Sequence, residues 1–182
     1  MSDLQDIRER VIVCTNCDLC KTRTNAVPGK GSPNAQIMFV GEAPGRTEDL
    51  RGEPFVGAAG KKLDAMLEKN GILRESVYIT NVVKCRPPNN RVPTQQERDA
   101  CNKYLESEIK VINPKVICVL GNTASNSILG QGDITKNHGQ TIKKEGRLYF
   151  LTFHPAATIY NQQLRLLMEQ DMQTLKKLAE TQ

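Results

Sequence analysis

Four short apolar runs, separated by segments of helical character, constrain this chain more than any other feature of its sequence. They are Ile37 to Val40, Val77 to Thr80, Val116 to Leu120 and Leu148 to Thr152. A half-exposed strand alternates apolar and polar residues; runs that are nearly continuous in apolar character belong to parallel strands covered on both faces. Between them lie Leu4, Ile7 and Val11 at helical spacing behind a Ser2-x-x-Gln5 capping box, and a helix from Gly60 to Asn70 stopped by Gly71. Further on, a Thr94-x-x-Glu97 box opens a helix to about Val111, another helix starts at Gly121-Asn122-Thr123, and Ala156 to about Ala179 is mainly helical. The expected fold is α/β, with a central, mostly parallel four-stranded sheet between helices.

Such sheets bind ligands outside the carboxyl ends of their strands. Glu42, Asn81, Asn122 and His154 each follow one of the four runs. If the strands are parallel, all four side chains converge on one pocket.

Length and charge narrow the field without deciding it. A chain of 182 residues fits one domain over 1–182. Lys and Arg total 25 against 20 Asp and Glu, a net charge of +5 that is compatible with a polyanionic partner without demanding one. The apolar runs fall far short of the ~20 residues of a membrane span. Met1-Ser2-Asp3-Leu4-Gln5-Asp6 has neither the basic start nor the apolar stretch of a secretion signal, so a cytoplasmic location is expected. Gly57-Ala58-Ala59-Gly60-Lys61-Lys62 lacks the spacing and the Ser/Thr of a P-loop, and Gly41 to Gly45 is not the dinucleotide glycine pattern.

Six cysteines in a reducing compartment point to metal or redox chemistry more than to disulfides. Cys14-x-x-Cys17 supplies two thiolates on one tight turn. Cys85 and Cys101 fall in surroundings that read as polar, where a free thiol has no packing reason to be, whereas Cys118 sits within Val, Ile and Leu and reads as core. Cys20 finds no fourth cysteine after it to complete a ferredoxin run. Four thiolates at these spacings suit zinc or an iron–sulfur cluster equally.

Other segments have simpler readings. Gly41-Glu42-Ala43-Pro44-Gly45 is a turn by composition, and Glu48-Asp49 reads as solvated acidic surface, the alternative being a carboxylate near a catalytic loop that steers water. Phe55, in a Gly- and Pro-rich loop, has little core to join and reads as a stacking platform. His154 in Phe153-His154-Pro155-Ala156-Ala157 lies at a strand-to-helix switch, where an imidazole and free backbone N–H groups are aimed at one point. Such a point suits a developing anion.

Together these residues resemble family 4 uracil-DNA glycosylases, the iron–sulfur branch of their superfamily. The likeness spans nearly the whole chain. It rests on Cys14-x-x-Cys17, Gly41 to Gly45 with Glu48-Asp49, Pro54-Phe55-Val56-Gly57, Thr80 to Pro88, Cys101, Leu120-Gly121 and His154 to Ala157. It implies a three-layer α/β/α fold and a 4Fe–4S cluster held by Cys14, Cys17, Cys85 and Cys101. It also implies a uracil pocket formed by Glu42, Ala43, Phe55, Asn81 and His154. The chain departs from the family at Ile159-Tyr160-Asn161 and His138-Gly139, where arginines are usual. It lacks the basic insertion of the uracil-trapping relatives, which favours turnover.

The activity implied is hydrolysis of the bond between uracil and deoxyribose in DNA, carried out by a monomer. His154 donates to the departing base, and Glu42 polarises water or balances the cationic sugar. Lys84, Arg86, Arg91 and the helix start at Asn122 are expected to meet phosphates, and Tyr160 to wedge the emptied stack. The alternatives are a protein that binds or traps uracil-DNA without turnover, or a cluster-bearing DNA-binding module.

Overall fold

The computed structural model describes residues 3–181. The first half of the described chain runs α1 (Leu4–Ile12), β1 (Lys30–Gly31), β2 (Ile37–Gly41), α2 (Arg46–Arg51), α3 (Ala58–Lys69), β3 (Tyr78–Asn81) and α4 (Gln95–Ile112). The second half runs β4 (Val116–Leu120), α5 (Gly121–Leu129), α6 (Ile134–Asn137), β5 (Thr141–Lys144), β6 (Arg147–Thr152) and α7 (Gln162–Thr181), with a 3-10 turn at Pro155–Thr158 before the last helix. Ser2 of the expected capping box lies outside the described residues. Asp3 caps α1, its carboxylate accepting from the Asp6 N–H at 2.9 Å. The Thr94–Glu97 capping box is formed in full at the start of α4.

Among the described residues the sheet has six strands in the order β1-β3-β2-β4-β6-β5, not four. The four apolar runs form its parallel centre, and antiparallel β1 and β5 close the two edges. Neither edge strand carries an apolar run. β1 is only two residues long, and β5 is mostly exposed Thr-Ile-Lys-Lys, a charged edge that resists pairing with other chains. β5 turns into β6 through Glu145-Gly146, both at positive φ as a two-residue hairpin turn demands.

Register determines which side chains share a face. Val40 pairs with Thr80 and Val119, and Gly41 with Asn81. Successive residues point to opposite faces, so Thr80 and Asn81 part company. Thr80 meets Glu108 of α4, whereas Thr152, one face over, donates to Asp171 of α7 at 2.7 Å. Thus α4, with α1 packed on it, covers one face, and α7, tied to α3 by Lys69–Glu169 at 2.6 Å, covers the other. The three-layer α/β/α arrangement follows, with Met38, Phe39, Ile117, Cys118, Val119, Phe150 and Leu151 fully enclosed between the layers.

Candidate active site

A cavity of about 500 Å³ opens beyond the carboxyl ends of the parallel strands, lined among others by Ala43, Glu48, Phe55, Asn81, Asn90 and His154. The parallel pairing of β2 and β3 continues past the strands: Val82 N–H donates to Gly41 O at 2.9 Å and Val83 N–H to Glu42 O at 3.0 Å. This holds Asn81 on the cavity floor, 2% exposed, yet its carboxamide Oδ1 has no hydrogen-bond partner among the described residues. A buried acceptor left so costs about 1–3 kcal/mol.

Phe55 forms one wall. It is 5% exposed and joins the core, contrary to the expectation that it has little core to join, while its ring still borders the cavity. Its backbone is left-handed at φ 52°, a rare conformation for a bulky side chain. Three neighbours impose it. Glu48 Oε1 accepts from Val56 and Gly57 N–H at 3.1 and 2.8 Å, Arg74 donates to Pro54 O at 2.9 Å, and Gly60 packs so closely that a Cβ there would lie 1.9 Å from Phe55 O. Gly41 clears the floor: a Cβ on it would meet Asn81 Oδ1 and Phe55 Cζ, both at 2.6 Å.

His154 faces Phe55, the ring centroids 5.9 Å apart. Gly121, at φ 88°, admits it; a Cβ there would sit 2.9 Å from His154 Cβ. The Ala156 N–H donates to His154 Nδ1 at 3.1 Å. An accepting Nδ1 places the proton on Nε2, so the ring is a neutral donor. Burial lowers its pKa from the ordinary 6.5, against an opposing pull from the Glu48 carboxylate.

Two of the expected pocket residues turn elsewhere. Burial raises the Glu42 pKa in spite of the nearby Thr123 and Arg98, and Glu42 is not among the residues lining the cavity. The carboxylate that lines it is Glu48, whose Oε2 takes no hydrogen bond from the described residues. Its neighbour Asp49 is buried, capping Thr24 and Asn25 N–H groups at 2.9 and 3.3 Å, so Glu48-Asp49 is no solvated surface. The signal was their place in the first turn of α2, the helix that follows β2. Asn122 Oδ1 accepts from Ile134 N–H at 2.7 Å and so caps α6 instead of reaching the cavity.

The expected phosphate contacts also separate. Lys84 is 1% exposed and lies 2.7 Å from Glu108, which removes it from any DNA-facing surface. Arg91 is committed to Glu97 through two bonds of 2.8 and 2.7 Å, and Arg86 to Asn90 at 2.8 Å. Tyr160 stands 98% exposed. Arg46, which sequence reasoning passed over, is exposed at the cavity mouth and carries no ion pair among the described residues.

Beyond Phe55 lies a larger hollow of about 670 Å³, bordered by Lys30, Glu53, Asp64 and Arg74, whose charges pair as Lys30–Glu53 and Arg74–Asp64. It contains no imidazole or carboxamide.

Cys14, Cys17, Cys85 and Cys101, with Cys20, border one cavity on the α1–α4 side. Cys85 and Cys101 are buried, not in polar surroundings. Arg23 donates to Cys85 Sγ at 3.1 Å and the Lys84 N–H to Cys101 Sγ at 3.3 Å. Burial pushes the Cys17 and Cys85 thiols up and Cys101 up to about 11. Among the described residues no three His, Cys, Asp or Glu side chains gather closely enough to grip one metal ion. Nor is any described helix long and apolar enough to cross a membrane.

Residues 28–178 match the family model described as the uracil DNA glycosylase superfamily. The chain is 48% identical to a type-4 uracil-DNA glycosylase of Sulfurisphaera tokodaii, over 100% of this chain and 87% of the relative. It is 47% identical to one of Archaeoglobus fulgidus, over 98% and 94%. A type-5 uracil-DNA glycosylase of Pyrobaculum aerophilum is 30% identical, over 84% and 75%. With the fold, the cavity and these likenesses in agreement, the chain belongs to the uracil-DNA glycosylase superfamily, in its type-4 branch.

Proposed function

We propose that this protein, acting as a single domain, hydrolyses the bond between uracil N1 and deoxyribose C1′ in DNA and leaves an abasic site. The observation that carries this reading is the buried Asn81 carboxamide oxygen, without a partner among the described residues, on the floor of a cavity walled by Phe55 and His154. Uracil supplies what is missing: its N3–H donates to Oδ1, while its O4 accepts from Nδ2. Cytosine offers a bare N3 and an amine there, so both bonds would be reversed.

A base within a duplex is out of reach, so the nucleotide rotates into the cavity at a cost of a few kcal/mol, less for a mispaired uracil. Phe55 stacks on the ring, worth about 1–3 kcal/mol. The His154 Nε2–H donates to O2 as negative charge collects on the departing base, a contribution of about 3 kcal/mol for one such donor. Glu48, its Oε2 open to the cavity, stands where a cationic sugar or attacking water needs a carboxylate, the role expected of Glu42. Arg46 takes the phosphate-contacting place expected of Lys84.

Cys14, Cys17, Cys85 and Cys101 would hold the 4Fe–4S cluster. Four sulfurs around one cavity, without being gathered at a point, suit a multi-iron core better than a single zinc ion, which draws its thiolates to ~2.3 Å from one centre. A cluster bound there supplies a cross-link between segments and no step of base removal.

The test is a uracil-containing oligonucleotide incubated with the protein and then treated with alkali. Strand breaks at uracil are expected. Intact strands would refute the reading, and a stable protein–DNA adduct would indicate trapping instead. Asn81→Asp is expected to admit cytosine or to abolish breakage; strict uracil preference in that variant would contradict the recognition scheme.

A further inference from the structure

Lys84 and Glu108 form a fully buried ion pair that base chemistry does not use, 1% and 0% exposed. The ammonium is saturated: Nζ donates to Glu108 Oε2 at 2.7 Å, to Thr80 Oγ1 at 2.5 Å and to the backbone carbonyl of Asn81 at 2.8 Å. The carboxylate is saturated too, accepting in addition from Thr80 Oγ1, Tyr78 OH and Gly29 N–H at 2.9, 3.2 and 3.2 Å. A buried pair of this kind is often no better for stability than well-packed apolar side chains. What it adds here is direction. Thr80 and Asn81 point to opposite faces of the sheet, so a cation anchored on the α4 face grips the backbone of the residue whose head group lies in the cavity.

On the reading of the site given above, we propose that Lys84, held by Glu108, is a positioning residue that fixes Asn81 in the orientation that reads uracil. Among the described residues the Asn81 side chain makes no hydrogen bond through Oδ1, so its placement comes from the backbone. Three contacts supply it: Val82 N–H to Gly41 O, Val83 N–H to Glu42 O, and Lys84 Nζ to Asn81 O. Each fixes the peptide frame and leaves the carboxamide free for a base. Lys84 also donates its own N–H to Cys101 Sγ and precedes Cys85, so one residue joins the cysteine cavity to the base pocket.

Lys84→Met combined with Glu108→Gln removes both charges together, keeps an acceptor for Tyr78 and Gly29, and turns an amide donor toward the Thr80 hydroxyl oxygen. We expect single-turnover uracil excision to fall about 10- to 100-fold, the range for a small misplacement of a reacting pair. Preference for uracil over cytosine falls with it, while affinity for undamaged duplex stays within about twofold and its salt dependence is unchanged. A folded double variant excising uracil at the wild-type rate would overturn the proposal. So would weakened duplex binding with a salt slope reduced by about 1, the mark of a lost phosphate contact. Wild-type protein inert on uracil-DNA would instead sink the underlying functional reading. A second measurement needs no variant: hydrogen exchange at the Val82 and Val83 amides of the wild type. Equal slow exchange with and without free uracil is expected, and protection that appears only with uracil would show that Asn81 is not preset.

Discussion

The bond from Ala156 N–H to His154 Nδ1 exists only while the imidazole is neutral with its proton on Nε2, and burial favours that neutral form. The sign of the pH dependence follows. The folded-state pKa lies below 6.5, so between that value and 6.5 the unfolded chain binds a proton that the folded chain does not. The stability tied to His154 is therefore complete above pH 6.5 and declines as pH falls through that window. Excision should be level from pH 6.5 to 8 and drop in acid with a midpoint below 6.5. Single-turnover rates in a pH series check this, and an imidazole-dependent midpoint above 6.5 would contradict the neutral-donor assignment.

The parallel strands and the turns that follow them were legible because a strand buried on both faces must be apolar throughout, and no surface helix imitates that in four residues. Edge strands β1 and β5 were not legible, since polar, one-sided pairing leaves no such run. Lys84 misled for a related reason: a lysine is expected at the surface unless an acid is buried beside it, and Glu108 lies 24 residues further along. Asn122 and Glu42 show that following a strand fixes where a residue starts and not where its side chain goes: one caps the Ile134 N–H, and the other lies buried near Thr123 and Arg98 off the cavity lining. The end of β2 carries its own prediction. Gly41→Ala would press on Asn81 and Phe55, two side chains of the pocket, so the damage should fall on excision more than on folding. We expect at least about a tenfold loss of rate, the effect of a sub-ångström misplacement, with a melting temperature lowered by only about 2–4 °C.

Across the whole molecule, the cysteine cavity joins the turn after α1, the loop after β3 and the first half of α4, three regions far apart in sequence. Folding brings them together, and a cluster on the four proposed ligands would hold them there. Cys85→Ala should bleach visible absorption and lower the melting temperature by about 10 °C, as several kcal/mol of ligation are lost at ~2–4 °C per kcal/mol. Stripping iron with a chelator should do the same to the wild type, and colour that survives Cys85→Ala would exclude Cys85 as a ligand. Phe55 presents the opposite trade. Its left-handed backbone costs about 1–3 kcal/mol, less than the about 3–5 kcal/mol that emptying so buried a side chain would lose, so packing alone keeps an aromatic ring at position 55. A lineage bred for heat resistance alone would therefore retain the surface proposed to receive a flipped base.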